Sequence, residues 1–312
     1  MTIVFFGSSE FSIPVLSALM EKQSVRLVVT TPEKKKGRGQ KVSGTVVKDF
    51  ALKHGLSCLE PEKLSDPQFV GQIETLSPDF IVVASYGKLI PSSVFSKSKI
   101  APLNVHPSLL PKHRGASPIQ RSILEGNQKT GVSIAEVTKD LDAGDLFAQI
   151  ETNLDVNENA NQLSHRLSEM AAKLVLEVID RAKNGNLKKT PQSSASQETY
   201  AKKMTKEEGQ INWNQPNIVI HNQARAYNPW PGAFTFVNDK RLKILQTALI
   251  TNSNSQAQPG EIIMIDHNGI VVQTQMNQIC LEKVQLEGRN EIGAYEFALG
   301  QRLKSKDRFS SQ

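Results

Sequence analysis

Cysteine is scarce in this chain of 312 residues. Cys58 and Cys280 are the only two, and they stand far apart and outside any CxxC or Cys/His ligand spacing. Neither a disulfide scaffold nor a zinc site is therefore predicted. Two free thiols suit a reducing compartment, and we expect a cytoplasmic protein that binds no metal.

Long apolar runs are also missing. No stretch approaches the roughly 18 apolar residues that suggest a membrane-spanning helix. The first residues, Met1 to Gly7, lack the basic start, apolar helix and cleavage site of a secretion signal. We expect a protein that is neither secreted nor inserted in a membrane.

Nucleotide-binding fingerprints are absent as well. The residues that follow the first predicted strand, Gly7 to Phe11, have neither the GxGxxG spacing of a dinucleotide site nor the GK[ST] of a P-loop. This makes a nucleotide-dependent dehydrogenase an unfavourable interpretation.

Basic residues are in excess and unevenly placed. Lys and Arg number 37 against 31 Asp and Glu, which gives a formal charge of +6 and an isoelectric point near 9.2. Such a balance favours contact with polyanions, although a solvated loop or a basic linker is the ordinary alternative. Two clusters are candidate phosphate contacts: Lys34, Lys35, Lys36, Arg38 and Lys41, and then Lys202, Lys203 and Lys206.

The first half of the chain alternates short apolar runs with amphipathic stretches. Runs such as Ile3–Phe6, Phe80–Ala84 and Ala101–Val105 are typical of buried strands, and the pattern between them is helical. Alternation of this kind predicts an α/β fold with a Rossmann-like, doubly wound, mainly parallel sheet. Ligands of such sheets bind outside the carboxyl ends of the strands.

The second half differs. A long predicted helix at Asn161–Asn184 is followed by a segment rich in Lys, Gln, Ser and Thr, and then by several short strand-like runs. We therefore predict a catalytic domain at residues 1–185, a basic linker at 186–206 and a smaller OB-like β-barrel domain at 207–312.

One strand end combines an amide with an imidazole. Period-two alternation places Asn104 and His106 on the same side of a strand that Pro107 ends. An amide NH₂ and a protonated ring N–H are the donors that stabilise an oxyanion, so acyl transfer is the first chemistry to test. A polar strand end that caps a turn is the alternative.

A carboxylate is expected nearby. Asp142 comes just after the strand-like run Val132–Val137, and we expect it to reach the same sheet edge and to hold His106 in its cationic form or receive a proton through water. An ordinary Asp-Gly turn is the alternative.

Together these residues resemble a known family, the folate-dependent formyltransferases. The likeness rests on Asn104-Val-His106-Pro-Ser-Leu-Leu-Pro111, on Arg114-Gly115, on Thr130-Gly131-Val132 and on Asp142-Ala-Gly144-Asp145. Within the family the chain is most similar to the branch that acts on methionyl initiator tRNA. Five further segments carry that likeness: Gly37–Gly39, Arg114–Gln120, Tyr200–Met204, Ile211–Trp213 and Asn228–Pro231.

The resemblance implies formyl transfer from 10-formyltetrahydrofolate to the α-amine of methionine on initiator tRNA, with Asn104, His106 and Asp142 as the catalytic residues. It implies folate contacts at Ser108, Leu109, Leu110 and Pro111, and the strand end at Tyr86, Gly87 and Leu89 is a further candidate. An ordinary strand-to-helix loop is the alternative for those last three. The implied tRNA contacts are Lys34, Lys35, Lys36, Arg38, Lys41, Lys202, Lys203 and Lys206.

Other interpretations stay open. A folate-dependent formyltransferase that acts on a small amine, such as an amino sugar or glycinamide ribonucleotide, would share the same three residues. A non-catalytic RNA-binding protein could use the barrel and linker alone. Ser85, His113, Lys35, Lys36 and Asn212 depart from the family's usual residues, although none belongs to the catalytic set. We expect a monomer.

Overall fold

A computed structural model describes the whole chain except residues 33, 37–40, 193–197, 252–255 and 311–312. The chain forms two compact units. The first comprises Met1–Pro118, Lys129–Asn153 and Ser164–Lys202, and the second comprises Ile119–Gln128, Leu154–Leu163 and Lys203–Gln312. The domain limits given above, including the linker at 186–206, remain a prediction.

The first unit is built on a seven-stranded sheet in the order β10-β9-β7-β6-β1-β2-β5. Its strands are β1 (Thr2–Gly7), β2 (Ser24–Val29), β5 (Cys58–Leu59), β6 (Phe80–Ala84), β7 (Ala101–His106), β9 (Lys129–Glu136) and β10 (Leu146–Asn153). The five strands from β7 to β5 are parallel, whereas β9 and β10 run antiparallel to their neighbours. The sheet is therefore doubly wound and mainly parallel, as predicted.

Smaller pairings complete this unit. A hairpin of β3 (Lys34–Lys36) and β4 (Lys41–Ser43) follows the carboxyl end of β2, and β8 (Arg114–Gly115) pairs in parallel with β11 (Tyr200–Ala201). The sequence patterns gave no sign of either pair, because strands of two or three residues are too short to show a period.

Helices follow strands of the first unit along the chain. The chain contains α1 (Ser12–Lys22), α2 (Val46–Lys53), α3 (Pro67–Leu76), α4 (Ser92–Phe95), α5 (Pro118–Leu124) and α6 (Ala160–Lys183). Capping follows the sequence: Thr45 accepts a hydrogen bond from the Lys48 N–H at the start of α2, and Asp66 accepts one from the Gln68 N–H at the start of α3. Among the described residues, no helix is long and apolar enough to cross a membrane.

The second unit holds a six-stranded antiparallel sheet with the main order β12-β13-β16-β15-β14. Its elements are α7 (Asn217–Ala226), β12 (Ala233–Val237), β13 (Lys240–Ile250), β14 (Ile262–Asp266), β15 (Gly269–Gln273), β16 (Gln278–Leu286), β17 (Ile292–Gly293) and α8 (Ala294–Gln301). Helix α8 was missing from the sequence prediction.

The end of the chain closes this sheet. Ser310 exchanges backbone hydrogen bonds with Phe236 of β12, while the N–H of Phe309 donates to the Gly260 carbonyl beside β14. Both edge strands are thereby paired, which removes the exposed edges of an open sheet. Trp213 stacks on Phe309 inside the resulting barrel, with ring centroids 5.8 Å apart. The predicted fold class, a Rossmann-like sheet with a smaller C-terminal barrel, is confirmed.

Candidate active site

Strand β7 carries the amide and the imidazole. Its apolar residues are buried against neighbouring strands, and Asn104 pairs with Val83 on one side and with Ala135 on the other. Period-two alternation places Asn104 and His106 on one face of the strand. His106 is only 5% exposed, whereas Asn104 is partly exposed.

Asp142 lies against both side chains. Its Oδ1 atom accepts a hydrogen bond from the Asn104 Nδ2 atom at 2.8 Å, and its Oδ2 atom accepts one from the Gly115 backbone N–H at 2.8 Å. The same Oδ2 atom lies 3.6 Å from the Nδ1 atom of His106. The structure thus brings the three predicted catalytic residues together.

The route by which Asp142 reaches Asn104 differs from the prediction. Strand β9 runs antiparallel to β7, so the end of β9 does not lie at the edge where the parallel strands end. Asp142 instead reaches Asn104 from the turn that links β9 to β10. Asp142 itself has a left-handed backbone with φ of 53°, a conformation that Asp and Asn tolerate better than most residues.

His106 is held from its far side. Its Nε2 atom lies 2.9 Å from the backbone carbonyl oxygen of His113, a distance at which the Nε2–H donates a hydrogen bond. Its Nδ1 atom faces the Asp142 carboxylate at a distance longer than a hydrogen bond. Both ring nitrogens therefore face acceptors, and among the residues that the structure describes Nδ1 has no hydrogen-bond partner.

Two glycines are required around this carboxylate. Gly115 has φ of +113°, and an added Cβ would lie 2.9 Å from the Ala201 carbonyl oxygen. At Gly144 an added Cβ would overlap the backbone carbonyl of Glu136. The Asp142 turn can pack this closely because neither position carries a side chain.

A cavity of about 90 Å³ opens beside Asn104 and Asp142. Its walls come from the end of β6 and the loop after it, from β7, and from residues 136–142. The walls are mixed: polar and charged side chains alternate with the apolar residues Val83, Leu89, Ile90, Val137 and Leu141. Leu89 and Leu141 are exposed at 70% and 48%, so they offer apolar surface to a ligand.

The other predicted cofactor residues are placed differently. Tyr86 is buried, and its ring packs edge-on against Phe6 at 5.3 Å, so the ring belongs to the core rather than to the cavity wall. Burial raises the pKa of the Tyr86 hydroxyl to about 12. Gly87 follows with φ of +83°. Of these three residues, only Leu89 lines the cavity.

Residues Ser108 to Pro111 lie next to His106 in the chain but outside the walls of this cavity. The Ser108 hydroxyl donates to the Lys112 carbonyl at 2.7 Å, and the Leu110 N–H donates to the Ser133 hydroxyl at 3.1 Å. Leu109 is partly exposed, and Pro111 is buried. Their assignment to the folate site remains a prediction from the family resemblance.

The basic candidates fall into three groups. Lys34, Lys35, Lys36 and Lys41 lie on the β3–β4 hairpin, and Arg38 lies outside the described residues. Lys202 is exposed in the first unit, and Lys203 and Lys206 are exposed in the second. Since the hairpin follows β2, it leaves the sheet at the carboxyl edge, where β7 also ends.

Sequence patterns missed one set of contacts at the site. Lys189 forms an ion pair with Glu136 at 2.6 Å, and Gln192 donates two hydrogen bonds to the Asp142 turn. Hydrogen bonding to Glu136 raises the pKa of Lys189. Both residues belong to the polar segment assigned to the linker, which has no periodic signal that could have marked them. Within the described ranges, no group of three His, Cys, Asp or Glu side chains could hold a metal ion.

An amide and a carboxylate line one cavity, and an imidazole lies against the carboxylate. On a doubly wound sheet these are groups with which an enzyme can act on a carbonyl carbon. The family model described as formyl transferase matches residues 1–179, and the model described as formyl transferase, C-terminal domain, matches residues 203–302.

Named relatives of similar length agree with the match to the formyl transferase models. The methionyl-tRNA formyltransferase of Sulfurihydrogenibium is 40% identical over 99% of this chain and 100% of its own, and that of Ruminiclostridium cellulolyticum is 36% identical over 99% of each. The fold resembles HypX from Aquifex aeolicus in complex with tetrahydrofolic acid, with a TM-score of 0.66 and 17% identity, over 99% of this chain and half of that one. The chain belongs to the formyl transferase family, in the group of the methionyl-tRNA formyltransferases.

Proposed function

We propose that this protein transfers the formyl group of 10-formyltetrahydrofolate to the α-amine of methionine esterified to initiator tRNA. The observation that carries the proposal is the convergence of Asn104, His106 and Asp142 at a cavity that Asn104 and Asp142 line, in a chain whose near full-length relatives are named for this reaction. The product would be N-formylmethionyl-tRNA, which serves translation initiation.

Asn104 and His106 supply the donors for the developing oxyanion. One hydrogen of the Asn104 amide is used by Asp142, which leaves the second for a substrate oxygen. The Nδ1 side of His106 is likewise not tied by a hydrogen bond. When an amine adds to a formyl carbon, negative charge grows on the formyl oxygen, and these two donors stabilise that charge.

Asp142 has two tasks. Its carboxylate binds the Asn104 amide and lies 3.6 Å from the Nδ1 atom of His106, so it orients both groups. Its carboxylate also stands at the cavity wall, where it can accept the proton that the amine releases, directly or through a water.

The apolar part of the cavity wall is the candidate contact for the co-substrate. When bound, 10-formyltetrahydrofolate supplies the formyl group. Leu89, Ile90, Val137 and Leu141 would pack against its rings, with Asn104 and Asp142 at the reacting end. Tyr86 and Gly87 would contribute backbone groups only. Residues Ser108–Pro111 are proposed as folate contacts because they match the family's folate-binding segment.

The β3–β4 hairpin supports tRNA as the acceptor. Its segment is rich in Lys and Arg and leaves the sheet at the carboxyl edge, so its charges can meet phosphates of an acceptor stem whose aminoacyl end reaches the site. The barrel and the exposed lysines Lys202, Lys203 and Lys206 would add contacts to the tRNA. The protein would act as a monomer in the cytoplasm.

An acceptor panel tests the function. Purified protein is incubated with 10-formyltetrahydrofolate and, in separate reactions, with charged initiator tRNA, glycinamide ribonucleotide or a nucleotide-linked amino sugar. Formylation of the tRNA alone is the expected result. Folate-dependent formylation of a small amine without formylation of methionyl-tRNA would overturn the proposal, and no formylation of any acceptor would favour a non-catalytic RNA-binding protein.

A further inference from the structure

The segment after α6 returns to the active site. Thr190 exchanges two backbone hydrogen bonds with Leu146, at 2.8 and 2.9 Å, just beyond the Asp142 turn. Ten residues later, Tyr200 and Ala201 pair with β8, which provides the N–H that binds the Asp142 carboxylate. This part of the chain therefore braces both sides of Asp142.

Gln192 lies between these two pairings and makes the most direct contact. Its Nε2 atom donates to the backbone carbonyl oxygens of Asp142 at 2.8 Å and Gly144 at 2.7 Å. Its Oε1 atom accepts from the Nη2 and Nε atoms of Arg114 at 2.7 and 3.2 Å. Arg114 in turn forms an ion pair with Glu198 at 2.7 Å.

We propose that Gln192 is a positioning residue for the formyl-transfer reaction, which fixes the 142–144 turn and thereby aims the Asp142 carboxylate. Both hydrogens of the Gln192 amide are donated to carbonyls of the Asp142 turn, and the amide oxygen accepts hydrogen bonds from Arg114 on β8. A single side chain thus links the backbone of the Asp142 turn to Arg114 of β8.

The position of the Asp142 carboxylate matters because its two oxygens contact three different groups at short distances. Its two oxygens bind Asn104 and the Gly115 N–H at 2.8 Å each, with His106 on the same side. The left-handed backbone at Asp142 still carries a conformational cost, which the two hydrogen bonds from Gln192 help to offset. A displacement of about 1 Å in a catalytic group is enough to cost roughly 10²-fold in rate.

Two substitutions separate the tasks of Gln192. Gln192→Leu removes both the donors and the acceptor. Gln192→Glu keeps an oxygen for Arg114 but places a second oxygen against the two turn carbonyls, so it removes only the donors. If the donors position Asp142, both variants lose about 10- to 100-fold in kcat, while KM for each substrate stays within about threefold of wild type.

Gln223→Leu is the matched control. Gln223 is also half-buried, and its Nε2 atom donates to two backbone carbonyls, those of Glu208 and Gln210, at 2.8 and 2.9 Å in the second unit. Its loss removes the same kind of hydrogen bonds without touching the Asp142 turn. We expect Gln223→Leu to lower Tm while kcat stays within about twofold of wild type.

A double variant separates a positioning role from a merely structural one. A residue that only stabilises the fold would lower kcat by the same factor with or without the Asp142 carboxylate. On an Asp142→Asn background, Gln192→Leu should lower kcat by less than twofold, because the group it positions is already gone. The inference is wrong if Gln192→Glu retains wild-type kcat, if Gln223→Leu loses as much kcat as Gln192→Leu, or if the two losses multiply in the double variant. Should Gln192→Leu not fold, Gln192→Glu alone decides.

The inference rests on the proposed function, and the two can fail separately. A wild-type protein that formylates no methionyl-tRNA counts against the function. An active wild type whose Gln192 variants keep full kcat counts only against the role of Gln192.

Discussion

Asp142→Asn is the substitution that probes the proposed chemistry most sharply. The amide has almost the same shape as the carboxylate, and Asn adopts the left-handed backbone at least as readily as Asp, so the turn should persist. The carboxylate accepts hydrogen bonds with both oxygens, from Asn104 and from the Gly115 N–H. The amide has one oxygen, and whichever way it is turned its NH₂ group meets one of these donors.

The magnitudes follow from those contacts. Loss of a hydrogen bond to a charged group costs about 1.5–3 kcal/mol of stability, which is less than the roughly 5–15 kcal/mol that holds a typical domain folded. The loss in kcat/KM should be larger. The amide cannot accept the proton that the amine releases, and a positioned acid or base contributes about 10²- to 10⁴-fold, equivalent to roughly 3–5.5 kcal/mol.

The assay compares initial rates of N-formylmethionyl-tRNA formation for wild type, Asp142→Asn and Asp180→Asn, together with thermal unfolding of each. Asp180 is an exposed carboxylate on α6 that pairs with Lys183 at 3.0 Å, and its substitution should leave the rate within about twofold of wild type. An Asp142→Asn protein that is folded and retains a rate within threefold of wild type would refute the role given to Asp142.

Four further predictions concern other parts of the molecule. Gly144→Ala should lower kcat at least about tenfold and the free energy of unfolding by about 1–3 kcal/mol, because the added Cβ overlaps the Glu136 carbonyl. Unchanged kinetics would show that the turn tolerates movement. Tyr86→Phe removes a buried hydroxyl that finds no hydrogen-bond partner in the described part of the chain, so unfolding experiments should show equal or higher stability. Fluorescence titration should show an unchanged folate affinity, and a clear loss of affinity would place the hydroxyl in the folate site. Burial raises the pKa of the Cys58 thiol to about 11, so iodoacetamide should label Cys58 slowly at pH 8 and faster as the pH rises toward 11; rapid labelling at pH 8 would contradict this. Arg38→Ala should raise KM for methionyl-tRNA while folate affinity stays the same, and an equal loss of folate affinity would assign the loop a structural role.

The centre of the site was predictable because its signals are local. Asn104 and His106 follow from the two-residue period of a strand, and Pro107 marks where that strand ends. The apolar runs around them are strong enough to indicate a parallel sheet, and with it the edge at which ligands bind. These features need no knowledge of distant parts of the chain.

The bracing of the site was not predictable in the same way. Gln192 lies in a polar segment with no helical or strand period, and its partners are about 50 and 78 residues away. The antiparallel direction of β9 is likewise decided by pairing with β7 and β10, not by the composition of β9 itself. Tyr86 illustrates the converse: its place at a strand end suggested a ligand contact, yet its ring is buried in the core.

The central claim is tested most directly by following the formyl carbon. The protein is incubated with 10-formyltetrahydrofolate labelled with ¹³C in the formyl group and with charged initiator tRNA. The ester is then hydrolysed and the products are measured by mass spectrometry. We predict labelled N-formylmethionine in an amount equal to the tetrahydrofolate released. Label recovered as free formate, or on an amine other than that of methionine, would contradict the account.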